Sequence, residues 1–349
     1  CTVLMIQSGD LTSSSLGLFS GEPMPFASIS SQSGHAYQIY YRTFPEGIVS
    51  GLESRPRVVL LMGLGGTHAL WRPQIDYLQR FCHVCAIDNR GTGYSGKPSR
   101  QRWTTQRMAQ DAIAVLDALG WNDHVHIIGI SMGGMIAQEL ALAVPRRVAS
   151  VTLIATYASV LWAVPTLQGM IDFARSTGWL TRDIKEMGRA SMRLNFPDEW
   201  LSQTRKSDLH DGNVVQNQRW MNKAFIIMSL EVPPELKEKG MGPPGRVHPE
   251  DMMKQFVAVM THHVSKARCK PLTDLGVPVL VLTGTQDVLV RPMNSTIIAD
   301  HFDTKVHALE KSGHGLIFQL ADEVNRLLET HIQAGEAYVN SAVRVRSKL

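Results

Sequence analysis

Gly129, Ser131 and Gly133 form a G-x-S-x-G group whose spacing suits one kind of chemistry. A serine hydroxyl can attack a carbonyl only when its oxygen stands clear of the backbone, and a tight strand-to-helix turn provides that. Side chains at the flanking positions would crowd such a turn, and glycine has none. The stretch 125–143 reads as a short buried strand, a sharp turn and then a helix. The first N–H groups of that helix point to where negative charge develops in acyl transfer. G-x-S-x-G also occurs as an ordinary glycine-rich turn; the strand before it and the helix after it favour the chemical reading.

The hydroxyl needs a base, usually a histidine held in the right tautomer by a buried carboxylate. In open α/β sheets such groups gather beyond the carboxyl ends of the strands. Asp287 follows the apolar run 277–283 in Gly284-Thr285-Gln286-Asp287 and is the clearest acid so placed after the serine. The equivalent loop after Ala155 reads Thr156-Tyr157-Ala158 and offers no acid. The competing role for Asp287 is a turn residue capping the next helix. Of thirteen histidines, His314 lies between glycines in Ser312-Gly313-His314-Gly315, after the last strand and before the last helix. His262 and His263 fall in an inserted region and are expected to line a pocket or face solvent. His124 and His126 sit at the wrong end of the serine's strand or within it. The resulting order Ser131, Asp287, His314 is that of nucleophile, acid and base on such a sheet. The N–H groups of Met132 and Leu64 are the expected oxyanion donors, Leu64 because Gly63 and Gly65 let the backbone approach closely.

These groups need a scaffold, and the apolar runs supply one. Runs at 58–62, 81–87, 125–130, 148–155, 277–283 and 305–309 read as strands, preceded by a hairpin strand within 35–44. Helical spacing separates them: Met108, Ala112, Val115, Leu116 and Leu119 share one face, with Thr104 or Thr105 as cap and Gly120 as stop. Strand alternating with helix means a mainly parallel sheet covered on both faces. The alternation lapses over 157–270, where helical segments are rich in Met, Trp and Phe, including Trp162, Trp179, Trp200 and Trp220. This stretch is expected to be a helical lid whose inner face contacts an apolar substrate as well as packing on the core. The expected organisation is a loosely ordered segment 1–34, a core of 35–156 and 271–335, a lid at 157–270 and a tail at 336–349.

The chain has 349 residues, 44% hydrophobic and 19% charged, with a net charge of +4 and no long basic run. Nucleic acid is not an expected partner, and no apolar run reaches membrane-spanning length. Cys82 and Cys85 form a C-x-x-C, but no second pair completes a zinc site, and their spacing on a strand places them on opposite faces as core thiols. No metal or organic cofactor is expected. Gly91-Thr92-Gly93-Tyr94-Ser95-Gly96 has the form G-x-G-x-x-G, yet Lys97 and Pro98 follow where a dinucleotide site needs a helix to open. The sequence ends in Ser347, Lys348 and Leu349, the form of a peroxisomal address. The expected location is the peroxisome, through its import receptor, or the cytoplasm if the signal is not read.

Across roughly 35–332 the chain resembles the α/β-hydrolase superfamily. The resemblance rests on the serine turn 129–134 with its Met-Gly-Gly continuation, on the Asp-x-Arg-Gly-x-Gly-x-Ser loop 88–95, on the acid loop 284–292 and on the histidine loop 313–315. Within it the chain looks most like the lid-bearing esterases, enol-lactonases, methylesterases and cofactor-free perhydrolases. It departs at Met62, where many relatives carry histidine before the glycine. Serine at position 131 sets it apart from the epoxide hydrolases and haloalkane dehalogenases, which use aspartate there. The resemblance implies an α/β-hydrolase fold and a lipase- or esterase-like hydrolase cleaving an ester with an apolar or polyketide-like acyl group. Enol-lactonase, perhydrolase and acyltransferase activity on the same residues, and a non-catalytic ligand-binding receptor, are the alternatives.

Overall fold

The computed structural model describes residues 25–30, 36–47, 50–98, 101–160, 164–245 and 247–346. Trp162 and the terminal Ser347, Lys348 and Leu349 lie outside them. Among the described residues there are ten strands: β1 (Phe26–Ser30), β2 (Ala36–Phe44), β3 (Arg57–Leu61), β4 (His83–Ile87), β5 (Val125–Ile130), β6 (Val148–Ile154), β7 (Thr204–Lys206), β8 (Val214–Gln216), β9 (Val279–Gly284) and β10 (Val306–Leu309). Eight of them form one sheet in the order β1-β2-β4-β3-β5-β6-β9-β10. The strands from β4 to β10 in that order run parallel; β1 and β2 are antiparallel. This is the α/β-hydrolase fold.

Alternation within each strand builds two cores. Val59, Leu61, Ile127, Val151 and Val281 face the helices Thr105–Ala118 and Met132–Ala143. Val58, Leu60, Ile128, Ile130 and Leu282 face the opposite layer, which holds Trp71, Ile75, Val324, Leu328 and Ile332. A strand buried on both faces reads as an unbroken apolar run, which is why these strands are legible. The two thiols follow the same rule: Cys85 belongs to the first core and Cys82 to the second. Burial pushes Cys82 up to about 12 and Cys85 upward as well, so both rest as thiols.

Two boundaries differ from expectation, and one element is added. Phe26–Ser30, inside the segment read as loosely ordered, pairs with β2 along its whole length. Its pattern is too short and polar to signal a strand until the partner edge is present. The expected tail from 336 continues a helix, Ala321–Arg346. Between β6 and β9 the chain is helical, with the short antiparallel pair β7–β8 added; three-residue strands carry no periodicity to read.

Candidate active site

The chain leaves β3 toward β4 on one side and later leaves β5 toward β6 on the other. A crevice opens where successive connections diverge in this way, beyond the carboxyl ends of the strands. Ser131 follows β5 and Leu64 follows β3, so both border that crevice. The register aligns the strand ends: Leu61 pairs with Gly129, Ile130 with Ile154, Ile154 with Leu282 and Gly284 with Leu309. The loops carrying Leu64, Ser131, Asp287 and His314 therefore share one edge of the sheet.

Ser131 adopts φ 55° and ψ −124°, a region that residues with a Cβ rarely occupy. Its N–H donates to Ile154 O at 2.9 Å, and its carbonyl accepts from Thr156 Oγ1 at 2.7 Å. The glycines around it are demanded by contact. A Cβ on Gly133 would collide with the Leu61 carbonyl, and one on Gly129 with the Gly133 carbonyl. The turn is thus pressed against the end of β3, which brings Gly63 beside the serine: a Cβ there would lie 3.6 Å from Ser131 Oγ.

Asp287 and His314 meet directly. His314 Nδ1 and Asp287 Oδ2 are 2.8 Å apart, and both side chains are buried. Asp287 Oδ1 accepts from the N–H groups of Leu289 and Val290 at 2.9 and 2.8 Å. One carboxylate oxygen is held by the backbone and the other by the imidazole, which fixes ring orientation and leaves Nε2 as the free nitrogen. The two loops are packed backbone to backbone: Gln286 N–H donates to Ser312 O at 2.9 Å and Thr285 N–H to Leu309 O at 3.0 Å. Among the described residues no hydrogen bond of 3.5 Å or less joins Ser131 Oγ to His314. Such bonds often tighten only when substrate is bound.

The N–H groups of Leu64 and Met132 have no acceptor among the described residues. The carbonyl of Met62 accepts from Asn89 Nδ2 at 2.8 Å, and Gly65 N–H donates to Gln255 Oε1 at 2.9 Å. Asn89 and Gln255 escaped sequence reading. Asn89 lies in the glycine-rich loop after β4, where polar residues are ordinary. Gln255 sits on the helix Pro249–Met260, where its only signal is a polar residue on the face it shares with Asp251 and Ala258.

The loop 88–95 is structural. Arg90 is buried and its Nε bonds Asp111 Oδ2 at 2.6 Å, while Tyr37 Oη donates to Asp111 Oδ1 at 2.6 Å. Asp88 accepts from His68 N–H at 2.7 Å and lies 2.9 Å from His68 Nδ1. His262 corrects the expectation of a pocket-lining or solvent-facing residue: it is 2% exposed and its Nδ1 meets Thr105 Oγ1 at 2.9 Å. Burial holds it far below the usual imidazole range, at about 3. His126 is fully buried between Ser150 and Glu336. Among the described residues no three His, Cys, Asp or Glu side chains gather as a metal ion would require.

Residues 56–319 match the family model described as alpha/beta hydrolase fold. The chain is 28% identical over 272 residues to a putative carbamate hydrolase, RutD, of Azorhizobium caulinodans, spanning 78% of this chain and 89% of that one. It is 29% identical over 170 residues to 3-oxoadipate enol-lactonase 1 of Acinetobacter baylyi, 48% of this chain and 57% of that one. The solved enol-lactonase from Burkholderia xenovorans LB400 superposes with a TM-score of 0.61 at 18% identity, covering 88% of this chain and 99% of that one, a likeness of fold.

Proposed function

The chain belongs to the α/β-hydrolase fold family, and from that premise we propose that it is a serine hydrolase cleaving a carboxylic ester. The observation that carries this reading is the buried Asp287–His314 pair on the sheet edge where Ser131 is held at positive φ. In the proposed reaction His314 Nε2 takes the Ser131 proton as Oγ attacks the carbonyl carbon. The carbonyl oxygen becomes an oxyanion bound by the N–H groups of Leu64 and Met132. His314 then returns the proton to the leaving alcohol, and an acyl-enzyme remains. Water, deprotonated by the same imidazole, releases the acid and restores the serine. Asp287 orients the ring and stabilises it when it carries both protons.

Relatives named as hydrolase and enol-lactonase support hydrolysis, and an enol-lactone is itself a cyclic ester. The Met- and Trp-rich insertion favours an apolar acyl group. It touches the site at three loops: Thr166 N–H donates to Val288 O at 3.1 Å, Gly315 N–H to Asn195 O at 2.7 Å and Gly65 N–H to Gln255. These contacts support its reading as a lid.

The test is fluorophosphonate labelling followed by a panel of p-nitrophenyl esters of increasing chain length. The wild type should be labelled at Ser131 and turn over at least one ester, and Ser131→Ala should do neither. Equal turnover by Ser131→Ala would overturn the mechanism. An acyl-enzyme transferred to added alcohol in preference to water would make the protein an acyltransferase.

A further inference from the structure

We propose that Gln255, a residue of the insertion, is a positioning residue that holds the oxyanion loop in its working shape. The proposal rests on the activity proposed above.

The loop 62–66 is gripped at both ends by side-chain amides. Asn89 Nδ2 holds the Met62 carbonyl at 2.8 Å. Gln255 Oε1 takes the Gly65 N–H at 2.9 Å, and its Nε2 donates to Arg90 O at 3.0 Å. Leu64, whose own N–H is without an acceptor among the described residues, lies between the two grips. A turn bond from Gly66 N–H to Gly63 O, 3.1 Å, closes the loop. Gly65 has φ +71°, and a Cβ there would lie 2.7 Å from Met252 Cε. The loop therefore meets the helix Pro249–Met260 directly, with the end of the Met252 side chain against Gly65.

Gln255 is fully buried. Its amide has both a donor and an acceptor to satisfy, and this site satisfies both with backbone groups of two different loops. Binding Gly65 N–H fixes the plane of the peptide joining Leu64 to Gly65. Binding Arg90 O ties that plane to the loop after β4, the same loop from which Asn89 reaches back. Without the Gln255 oxygen, Gly65 N–H would be left unpaired in a half-buried setting, at a cost that favours rotation of the peptide. The Leu64–Gly65 peptide meets the peptide carrying the Leu64 N–H at the Leu64 Cα, so a rotation about ψ of Leu64 that φ of Gly65 does not offset re-aims the Leu64 N–H. An oxyanion donor is effective only when aimed before the charge develops. Since Gln255 belongs to the insertion, the donor is held in place only while the helix Pro249–Met260 is seated on the core.

The experiment compares wild type, Gln255→Met and Gln255→Glu, using p-nitrophenyl butyrate as substrate and phenylboronic acid as inhibitor. The boronate adduct on serine is an anionic tetrahedral centre with a hydroxyl oxygen where the oxyanion sits. Methionine matches glutamine in length and makes neither bond. With Gln255→Met, kcat should fall about tenfold, a fraction of the roughly 10²–10³ lost when a donor is removed outright. Boronate affinity should fall in parallel while KM stays within about twofold, the pattern of an interaction made only in the transition state. Amide exchange should quicken at Gly65. Glutamic acid, when protonated, reproduces both bonds; when ionised, it loses the donor to Arg90 O. The kcat of Gln255→Glu relative to wild type should therefore rise as pH falls, which a merely structural role would not produce. Unchanged kcat and boronate affinity in Gln255→Met, with the wild type active, would overturn this role alone. A wild type showing neither ester turnover nor Ser131-dependent labelling would overturn the proposed activity and this role with it. Should Gln255→Met not fold, the pH ratio of Gln255→Glu decides: a flat ratio overturns the role.

Discussion

His314 Nδ1 lies 2.8 Å from Asp287 Oδ2, although 27 positions separate the two residues along the chain. The contact joins the loops after β9 and β10, neighbours in the sheet, and Asp287 is held in place by two backbone N–H groups of its own loop. A carboxylate so fixed can accept only from an Nδ1–H tautomer, leaving Nε2 as the unprotonated nitrogen of the neutral ring.

Asp287→Asn keeps the shape and removes that preference. Ester turnover should fall by about 10⁴, the scale of a wrong tautomer in a serine triad. Thermal unfolding should move little by comparison. Steady-state kinetics with an activated ester, alongside circular dichroism, will check both.

Ser131 sits at φ 55°, where a Cβ is strained. Strain of this kind costs about 1–3 kcal/mol, and glycine's extra freedom when unfolded offsets roughly 0.4–1 kcal/mol of any relief. Ser131→Gly should therefore be inactive yet melt above Ser131→Ala, which keeps the strain. Paired melting curves decide the point; Ser131→Gly melting below Ser131→Ala by the full entropic offset would show that the turn stores none.

Gly133→Ala meets immovable atoms, the carbonyls of Leu61 and Met62 at the end of β3. Overpacking against flexible side chains typically costs about 1–3 kcal/mol, and backbone yields less. The variant should lose more than this in denaturant unfolding and should lose turnover, because any relief moves the oxyanion loop. Gly188→Ala, a helical position with nothing within 4 Å, is the control and should be neutral or stabilising.

His262 is buried and neutral, with burial lowering it to about 3; His331 is likewise lowered to about 4. Free in the unfolded chain, each takes up a proton near pH 6.5. Between these values the unfolded state binds more protons, so stability is full above about pH 6.5 and declines as pH falls toward 4. His262→Gln should flatten the fall in melting temperature over that interval, whatever it does at neutral pH. An unaltered slope would remove His262 from the account.

Much of this was legible before folding. Strands buried on both faces are written as apolar runs, so β3, β4, β5, β6 and β9 are legible within a few residues, while the half-exposed edge strand β10 is marked by its place after the helix that follows β9. The serine turn was legible because its glycines answer local sterics, and Asp287 and His314 because each follows such a run. β1 was not legible, since Phe26–Ser30 is a strand only by pairing with β2. His262 was misjudged because its burial depends on Thr105, far away in the chain.

The sequence by itself determined the strands of the sheet and placed the candidate residues Ser131, Asp287 and His314 just after them, because local periodicity and glycine placement are properties of neighbouring residues. Tertiary structure alone decided which side chains meet: Asp287 with His314, Asn89 with Met62, Gln255 with Gly65. Those pairings turn on how strands are ordered and how the insertion is seated. Hydrogen bonds between distant segments leave no mark in spacing, because their geometry comes into being only when separate parts of the chain are packed together.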